Sequence, residues 1–302
     1  MSRHEDRGRV LVIAGSDSGG GAGIQADIKT IAALGGYAAT AITAVTVQNT
    51  LGVSGVHPIP LEVIAAQARA VLQDIGADAV KTGMLGDAAV VELAARLIDE
   101  AVAPAVVDPV MTAKGGAALL DGGAVAALKE WLIPRAALLT PNAPEAATLT
   151  GLVVETPDDL LRAGEALLEL GAAAVLMKGG HLAGDRVVDL LVTPYATTRF
   201  ETGRIDTRHT HGTGCTLASA CAAGLAQGLG LDVSVRRARD YVLQAMRCAP
   251  GFGAGHGPLG HGWPVRRAIL EAISRDGATN ATEGPSAARS QDYLYDEDGL
   301  PK

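Results

Sequence analysis

Short, uninterrupted apolar runs recur along this chain, and segments of helical period separate them. Val10–Ala14, Ala79–Thr82, Ala105–Val110, Leu138–Pro141 and Ala174–Lys178 lack the polar alternation of a half-solvated strand. Each therefore predicts a strand covered on both faces. A β-branched run at Ala39–Val47 joins them. Helical patterns fill Ile24–Leu34, Leu61–Leu72, Ala88–Asp99, Val125–Trp131 and Leu160–Leu170. Farther on, Val187–Val192 and Thr198–Glu201 read as a hairpin or edge pair, and Gly214–Gln227 and Val233–Arg247 as two more helices. Repeated β–α alternation dictates an α/β fold, a mostly parallel sheet with helices on both faces. No internal repeat is evident.

Length and composition narrow the class further. The 302 residues suit two average domains or one large α/β domain, and 48% apolar residues can fill a core. The 38 glycines and 14 prolines are in excess while aromatics are only 3%, so packing relies on Ala, Val and Leu with many tight turns. A net charge of −8 argues against a nucleic-acid partner. Three cysteines, Cys215, Cys221 and Cys248, show no metal-type spacing and suit the cytoplasm. The charged start has no secretory apolar run. Thr30 to Leu61 and His209 to Leu231 carry no charge and are long enough to span a bilayer. Their polar and Gly/Ala-rich content fits interior elements of a non-membrane protein better. From Ser274 the chain turns polar, with six acids against three bases. It reads as a flexible tail without helical or strand period, with Tyr293 and Leu294 as its candidate anchors.

Two glycine-rich segments stand where chemistry is expected. Gly15-Ser16-Asp17-Ser18-Gly19-Gly20-Gly21-Ala22-Gly23 directly follows the first strand. Ligands of open α/β sheets bind at the carboxyl ends of strands, and glycines allow close backbone approach. A dinucleotide fingerprint would need an acid ending the next strand; Gln48-Asn49 stands there instead. The bland alternative is a glycine turn without ligand. The second segment, His211-Gly212-Thr213-Gly214-Cys215-Thr216, enters an uncharged, Ala-rich helix. Leading helix amides lack intrahelical partners and carry partial positive charge, so the Gly212–Gly214 opening suits a phosphoryl group. In that first turn the Cys215 thiol is expected to have a lowered pKa and to act as base or nucleophile. Against this stands a buried structural cysteine, the reading that fits Cys221 and Cys248.

The segments AGSDSGGGAGIQADIKT, AVTVQNT, KTGML, VVDPVM, LTPNAPEA, MKGGH and HGTGCT follow one another in this order. In that order the chain resembles the hydroxymethylpyrimidine/phosphomethylpyrimidine kinases of thiamine biosynthesis, of the ribokinase-like superfamily. The resemblance runs from about Val10 to Trp263. It implies a three-layer α-β-α sandwich with a central, mostly parallel sheet, one kinase domain over 1–273, and an acidic tail over 274–302 without family counterpart. Val47 stands where the family has a smaller Ala, which would tighten the pocket.

The resemblance also implies roles. Gly15, Asp17, Ala22, Gln48, Met84 and Val110 would contact the pyrimidine. The Gln48 amide both donates and accepts, which matches an aminopyrimidine edge, and Met84 offers a thioether to the ring. Asp108, Asn142 and Lys178 would bind ATP, with Glu145 and Asp108 toward Mg²⁺. Gly212, Thr213, Gly214 and Cys215 would form the catalytic anion hole, where sugar-kinase relatives carry an Asp at the Cys215 position. The implied reaction phosphorylates 4-amino-5-hydroxymethyl-2-methylpyrimidine and then its monophosphate, in a homodimer. Plainer readings exist for several of these: Gln48 at the surface, Met84 in a core, Asn142 as a helix cap, Lys178 in solvent. Competing functions are a pyridoxal kinase, a non-catalytic pyrimidine or nucleotide sensor, and a cysteine hydrolase with His211 as base.

Overall fold

The structure is a computed structural model that describes residues 8–112 and 122–279. The sheet is built outward from β1 (Arg9–Asp17), whose side chains alternate between two separate cores. Leu11 and Ile13 enter one cluster, while Val10, Val12 and Ala14 enter the other. The run Val10–Ala14, apolar at every position, has this reason to be so: both of its faces are covered. β1 pairs in parallel with β2 (Tyr37–Asn49) on one side and with β4 (Ala79–Thr82) on the other. β5 (Ala105–Val107), β6 (Ala136–Leu139) and β7 (Val175–Met177) continue in parallel. Antiparallel strands complete both edges, β3 (Gly52–Pro58) on β2, then β8 (Arg186–Val192) and β9 (Thr197–Gly203) beyond β7. Among the described residues the strand order is β3-β2-β1-β4-β5-β6-β7-β8-β9. The chain's progress across the sheet therefore reverses at β1, and the crevice at its carboxyl end is where such sheets bind ligands.

Helices cover both faces. One layer holds α2 (Leu61–Asp74), α3 (Ala88–Ala101), α4 (Gly122–Ala127), α5 (Ala143–Thr150) and α6 (Pro157–Glu169). The other holds α1 (Gly23–Ala33), α7 (Thr213–Ala226) and α8 (Leu231–Arg247). This is the three-layer ribokinase-like sandwich. No helix of the described residues is long and apolar enough to cross a membrane; the first uncharged stretch is divided among the end of α1, β2 and β3, and the second holds α7.

Three elements depart from the sequence reading. β3 carries Gly52, Gly55 and Pro58 and lies at an edge with Val56 exposed, so it has neither strand composition nor a buried pattern. α5 follows a Pro-rich segment, yet Asn142 caps it and Glu145 completes a capping box, a signature that starts a helix despite Pro144. α9 (Trp263–Thr279) extends into the segment read as tail, with Arg267 Nε 2.7 Å from Glu271 Oε1 one turn on. Contacts divide the chain after Trp263, into a unit ending there and a second beginning at Pro264. Tyr293 and Leu294 lie outside the described residues. β5 and β7 are shorter than expected and β6 lies two residues earlier at the same length; beyond β6 and β7, Asn142 and Lys178 still meet in an isolated parallel bridge.

Under the carboxyl end of β1 lies a charged node inside the core. Lys81 of β4 and Asp27 of α1 have no exposed side-chain surface, and Lys81 Nζ donates to both Asp27 oxygens at 2.9 and 3.0 Å. Ser219 Oγ of α7 donates to Asp27 Oδ1 at 2.6 Å. Burial alone would push the ammonium down, but the Asp27 carboxylate outweighs it and holds Lys81 above its ordinary value. The node ties α1, β4 and α7 together. Replacing Lys81 by Met leaves an uncompensated buried carboxylate, so thermal or urea unfolding should show a loss of about 3–5 kcal/mol. Adding Asp27→Leu should recover part of it, whereas an unchanged single variant would mean the pair contributes nothing.

Candidate active site

The crevice at the carboxyl ends of the central strands opens into a cavity of about 1000 Å³. Its lining includes Gly15, Asp17, Ala22, Gln48, Met84, Asp108, Val110, Asn142, Glu145, Lys178, Gly212, Thr213, Gly214 and Cys215, so residues 200 positions apart in sequence meet in one space. Asp17, the last residue of β1, organises the near side. Its Oδ1 accepts from the Gly19 amide at 2.8 Å, and its Oδ2 from the Gly21 and Ala22 amides at 3.0 and 2.8 Å. His211 Nε2 lies 2.8 Å from the same Oδ2. Burial pushes the Asp17 carboxyl up, but the His211 hydrogen bond and charge and the amides outweigh it and hold the group below its ordinary value.

The clamp allows two backbones to touch. A Cβ on Gly21 would stand 2.5 Å from His211 Cδ2, and one on Gly212 would overlap the Gly21 carbonyl. Gly212 also holds φ at +81° as it caps α7, a conformation that favours glycine. The glycine loop after β1 and the opening of α7 therefore form one wall. Gln48, half-buried at the end of β2, faces it with Nε2 3.3 Å from His211 Nε2. Since the Asp17 carboxylate can only accept, the ring donates to it, and the Gln48 amide N–H groups find no acceptor in the imidazole. They remain available to a ligand. The Met84 side chain packs where Gly15 lacks one.

Opposite this wall stands a charge cluster. Lys178 Nζ donates to Asp108 Oδ1 at 3.0 Å and lies 3.8 Å from Glu145 Oε2. Thr140 Oγ1 donates to the same Asp108 oxygen at 3.0 Å. A Cβ on Gly214 would come within 3.3 Å of Lys178 Nζ and 3.5 Å of Asp108 Oδ2, so the cluster sits directly against the start of α7. Asn142 acts as a cap: its Oδ1 accepts from the Glu145 amide at 2.9 Å, and Glu145 Oε2 accepts from the Asn142 amide at 2.8 Å. Burial pushes the Glu145 carboxyl up to about 7; Lys178 and Asn142 oppose this and Asp108 adds to it.

Three expectations are corrected. Cys215 lies in the first turn of α7, yet its thiol is raised to about 11. Burial is the main cause, Asp27 and Asp108 add to it, and the Lys81 charge and the Gly23 amide only partly offset it. Helix position does not overcome desolvation here. Cys221 is core, but Cys248 is exposed. Val47 is 63% exposed on the outer side of the β2–β3 hairpin, where it cannot tighten the cavity. Lys81, Asp27 and the positioning role of His211 escaped the sequence reading. The available signal was a lysine inside the apolar strand Ala79–Thr82.

A glycine-rich strand-to-helix turn that meets a helix start at the carboxyl end of a mostly parallel sheet is the build of a ribokinase-like small-molecule kinase. The sequence pattern of phosphomethylpyrimidine kinase matches residues 17–260, and the chain belongs to that family. The hydroxymethylpyrimidine/phosphomethylpyrimidine kinase of Streptomyces coelicolor is 52% identical over 256 residues, 85% of this chain and 95% of that one. The thiamine biosynthesis bifunctional protein of Geobacter sulfurreducens is 52% identical over 84% of this chain, which spans only 52% of that relative's length. Among solved structures, an ADP complex of Bacillus subtilis pyridoxal kinase has a TM-score of 0.79 at 36% identity, covering 86% of this chain and 99% of its own. The phosphomethylpyrimidine kinase of Clostridium difficile has a TM-score of 0.71 at 41% identity, covering 79% and 99%.

The raised thiol gives a direct test. In a Cys248→Ser background, Cys215 should alkylate slowly near neutrality, its rate with iodoacetamide rising about tenfold per pH unit while the protein stays folded. A rate already level near neutral pH would mean a thiolate at rest.

Proposed function

We propose that this protein transfers the γ-phosphoryl group of ATP to the primary hydroxyl of 4-amino-5-hydroxymethyl-2-methylpyrimidine, and then phosphorylates the monophosphate, in the cytoplasmic synthesis of thiamine. One observation carries the reading: Gln48 and the amide-rich start of α7 face the same cavity, on either side of His211. Gln48 presents unspent amide donors and a carbonyl to an aminopyrimidine, while Met84 and Val110 supply its apolar neighbours. The other half of the cavity, with Val187, Val242, Leu243 and Met246, suits the flat base of a nucleotide.

Transfer between the two halves needs positioning and charge neutralisation more than covalent chemistry. The Gly212–Cys215 amides stand where the migrating phosphoryl group passes, and Lys178 can exchange Asp108 for nucleotide oxygens. Cys215, holding its proton at neutral pH, steadies the acceptor hydroxyl rather than removing its proton. Glu145 and Asp108 fit a Mg²⁺ ion that keeps waters and phosphate oxygens as its other ligands. Among the described residues no group of three or more His, Cys, Asp or Glu side chains could hold an ion alone. Such an ion would offset phosphate charge. A homodimer is supported by exposed Val45, Val47 and Leu51 at the β2–β3 edge.

The deciding assay supplies the pyrimidine alcohol or pyridoxal with ATP and Mg²⁺ and resolves products by mass. Monophosphate and then pyrophosphate from the pyrimidine alcohol are expected, and preference for pyridoxal would reassign the acceptor. Cys215→Ala should lower kcat about a hundredfold or more while calorimetry still shows pyrimidine binding. Full activity in that variant removes the thiol from the mechanism.

A further inference from the structure

On the β8 side of the cavity a second buried ion pair reaches the chain next to Lys178. Asp189 of β8 and Arg239 of α8 are 8% and 9% exposed, and both line the cavity. Arg239 Nε donates to Asp189 Oδ2 at 2.8 Å, and Asp189 Oδ1 accepts from the Gly179 amide at 2.9 Å. One carboxylate thus joins a helix to the residue that follows Lys178. Gly179 has no room for a side chain, because a Cβ there would overlap the Val188 carbonyl. The Lys178 amide is tied on its other side, donating to the Pro141 carbonyl at 2.9 Å. The Arg239 guanidinium is itself fixed, 4.9 Å from the centre of the Phe200 ring, and Phe200 is the cross-strand partner of Asp189.

We propose that Arg239 is a positioning residue for phosphoryl transfer: by holding Asp189 on the Gly179 amide it sets where the Lys178 ammonium meets the nucleotide phosphates. This rests on the reading that the cavity takes ATP. Lys178 has two carboxylates within reach, Asp108 and Glu145, so a small shift of its backbone changes how readily it turns to a ligand. Without Arg239 the Asp189 charge would be buried and unpaired, and leaving for solvent or taking a proton would loosen its grip on Gly179. Lys could supply the charge but not the planar group that both donates to Asp189 and stacks on Phe200.

The test compares wild type with Arg239→Met, Arg239→Lys, Asp189→Asn and the Met/Asn double variant. ADP and the pyrimidine are titrated separately by calorimetry, and kcat and KM for ATP are measured. Arg239→Met should weaken ADP binding and lower kcat/KM for ATP about tenfold or more, with pyrimidine affinity within about twofold of wild type. The double variant should be no worse than the poorer single, since both break one link, and Arg239→Lys should fall between. Equal losses of ADP and pyrimidine affinity, or unchanged ATP kinetics in a variant of lowered Tm, would reduce the pair to a structural role. Should Arg239→Met fail to fold, Arg239→Lys decides: wild-type ATP kinetics there would overturn the proposal. ADP titration reads the pair whatever the acceptor alcohol. Wild type that binds ADP but phosphorylates neither alcohol would sink the functional reading alone.

Discussion

Asp17 ends the strand from which the sheet is built, and its two carboxylate oxygens accept from three loop amides and a histidine ring. Backbone amides in a glycine-rich turn repel one another's positive ends and would otherwise open toward water. A buried carboxylate gathers them, and the same oxygen that takes Gly21 and Ala22 also takes His211. The loop and the α7 opening cannot separate without leaving this charge unsatisfied. Everything the cavity offers to a ligand, from the Gln48 amide to the Gly214 turn, is measured from that anchor.

Around the start of α7 the charges are paired in advance. Lys81 is spent on Asp27 at 2.9 Å, whereas Lys178 is shared between Asp108 at 3.0 Å and Glu145 at 3.8 Å. The first pair is closed and serves the fold; the second is open to exchange. Three carboxylates facing two ammonium groups leave a local excess of negative charge; Glu145 is raised to about 7 mainly by its burial, with Asp108 adding to it and Lys178 opposing it. A cation arriving with the phosphates of the proposed nucleotide would meet that excess. The neutral thiol of Cys215 belongs to the same picture. It sits close enough to Lys81 to feel its charge, but burial, with Asp27 and Asp108 adding to it, outweighs that pull.

Much of this was legible in the chain. Both-face burial of Val10–Ala14 and its parallel companions follows from their apolar runs, and the glycine segments stood out as places where backbones approach. What escaped is what depends on three dimensions. A helix start predicts a low thiol pKa, but burial and the carboxylates around Cys215 reverse the sign, and neither is visible in HGTGCT. β3 was missed because Gly52, Gly55 and Pro58 deny it strand composition, while its pairing to β2 comes from position in the sheet. α5 was hidden by Pro144, although Asn142 and Glu145 already spelled its cap. Asn142 shows how a residue can answer two readings at once, as a cap by its oxygen and as part of a cavity wall by its place.

The link between Asp17 and His211 joins positions 194 residues apart. A ribosome adding roughly 5–20 residues each second needs on the order of 10–40 s to pass from one to the other. Throughout that interval the glycine loop has emerged but its tether has not been synthesised. Shortened chains that stop before His211 would already hold β1 to β9 but lack the tether to Asp17 and the α7 wall of the cavity. The cavity is therefore closed on its α7 side only after the whole sheet has been made.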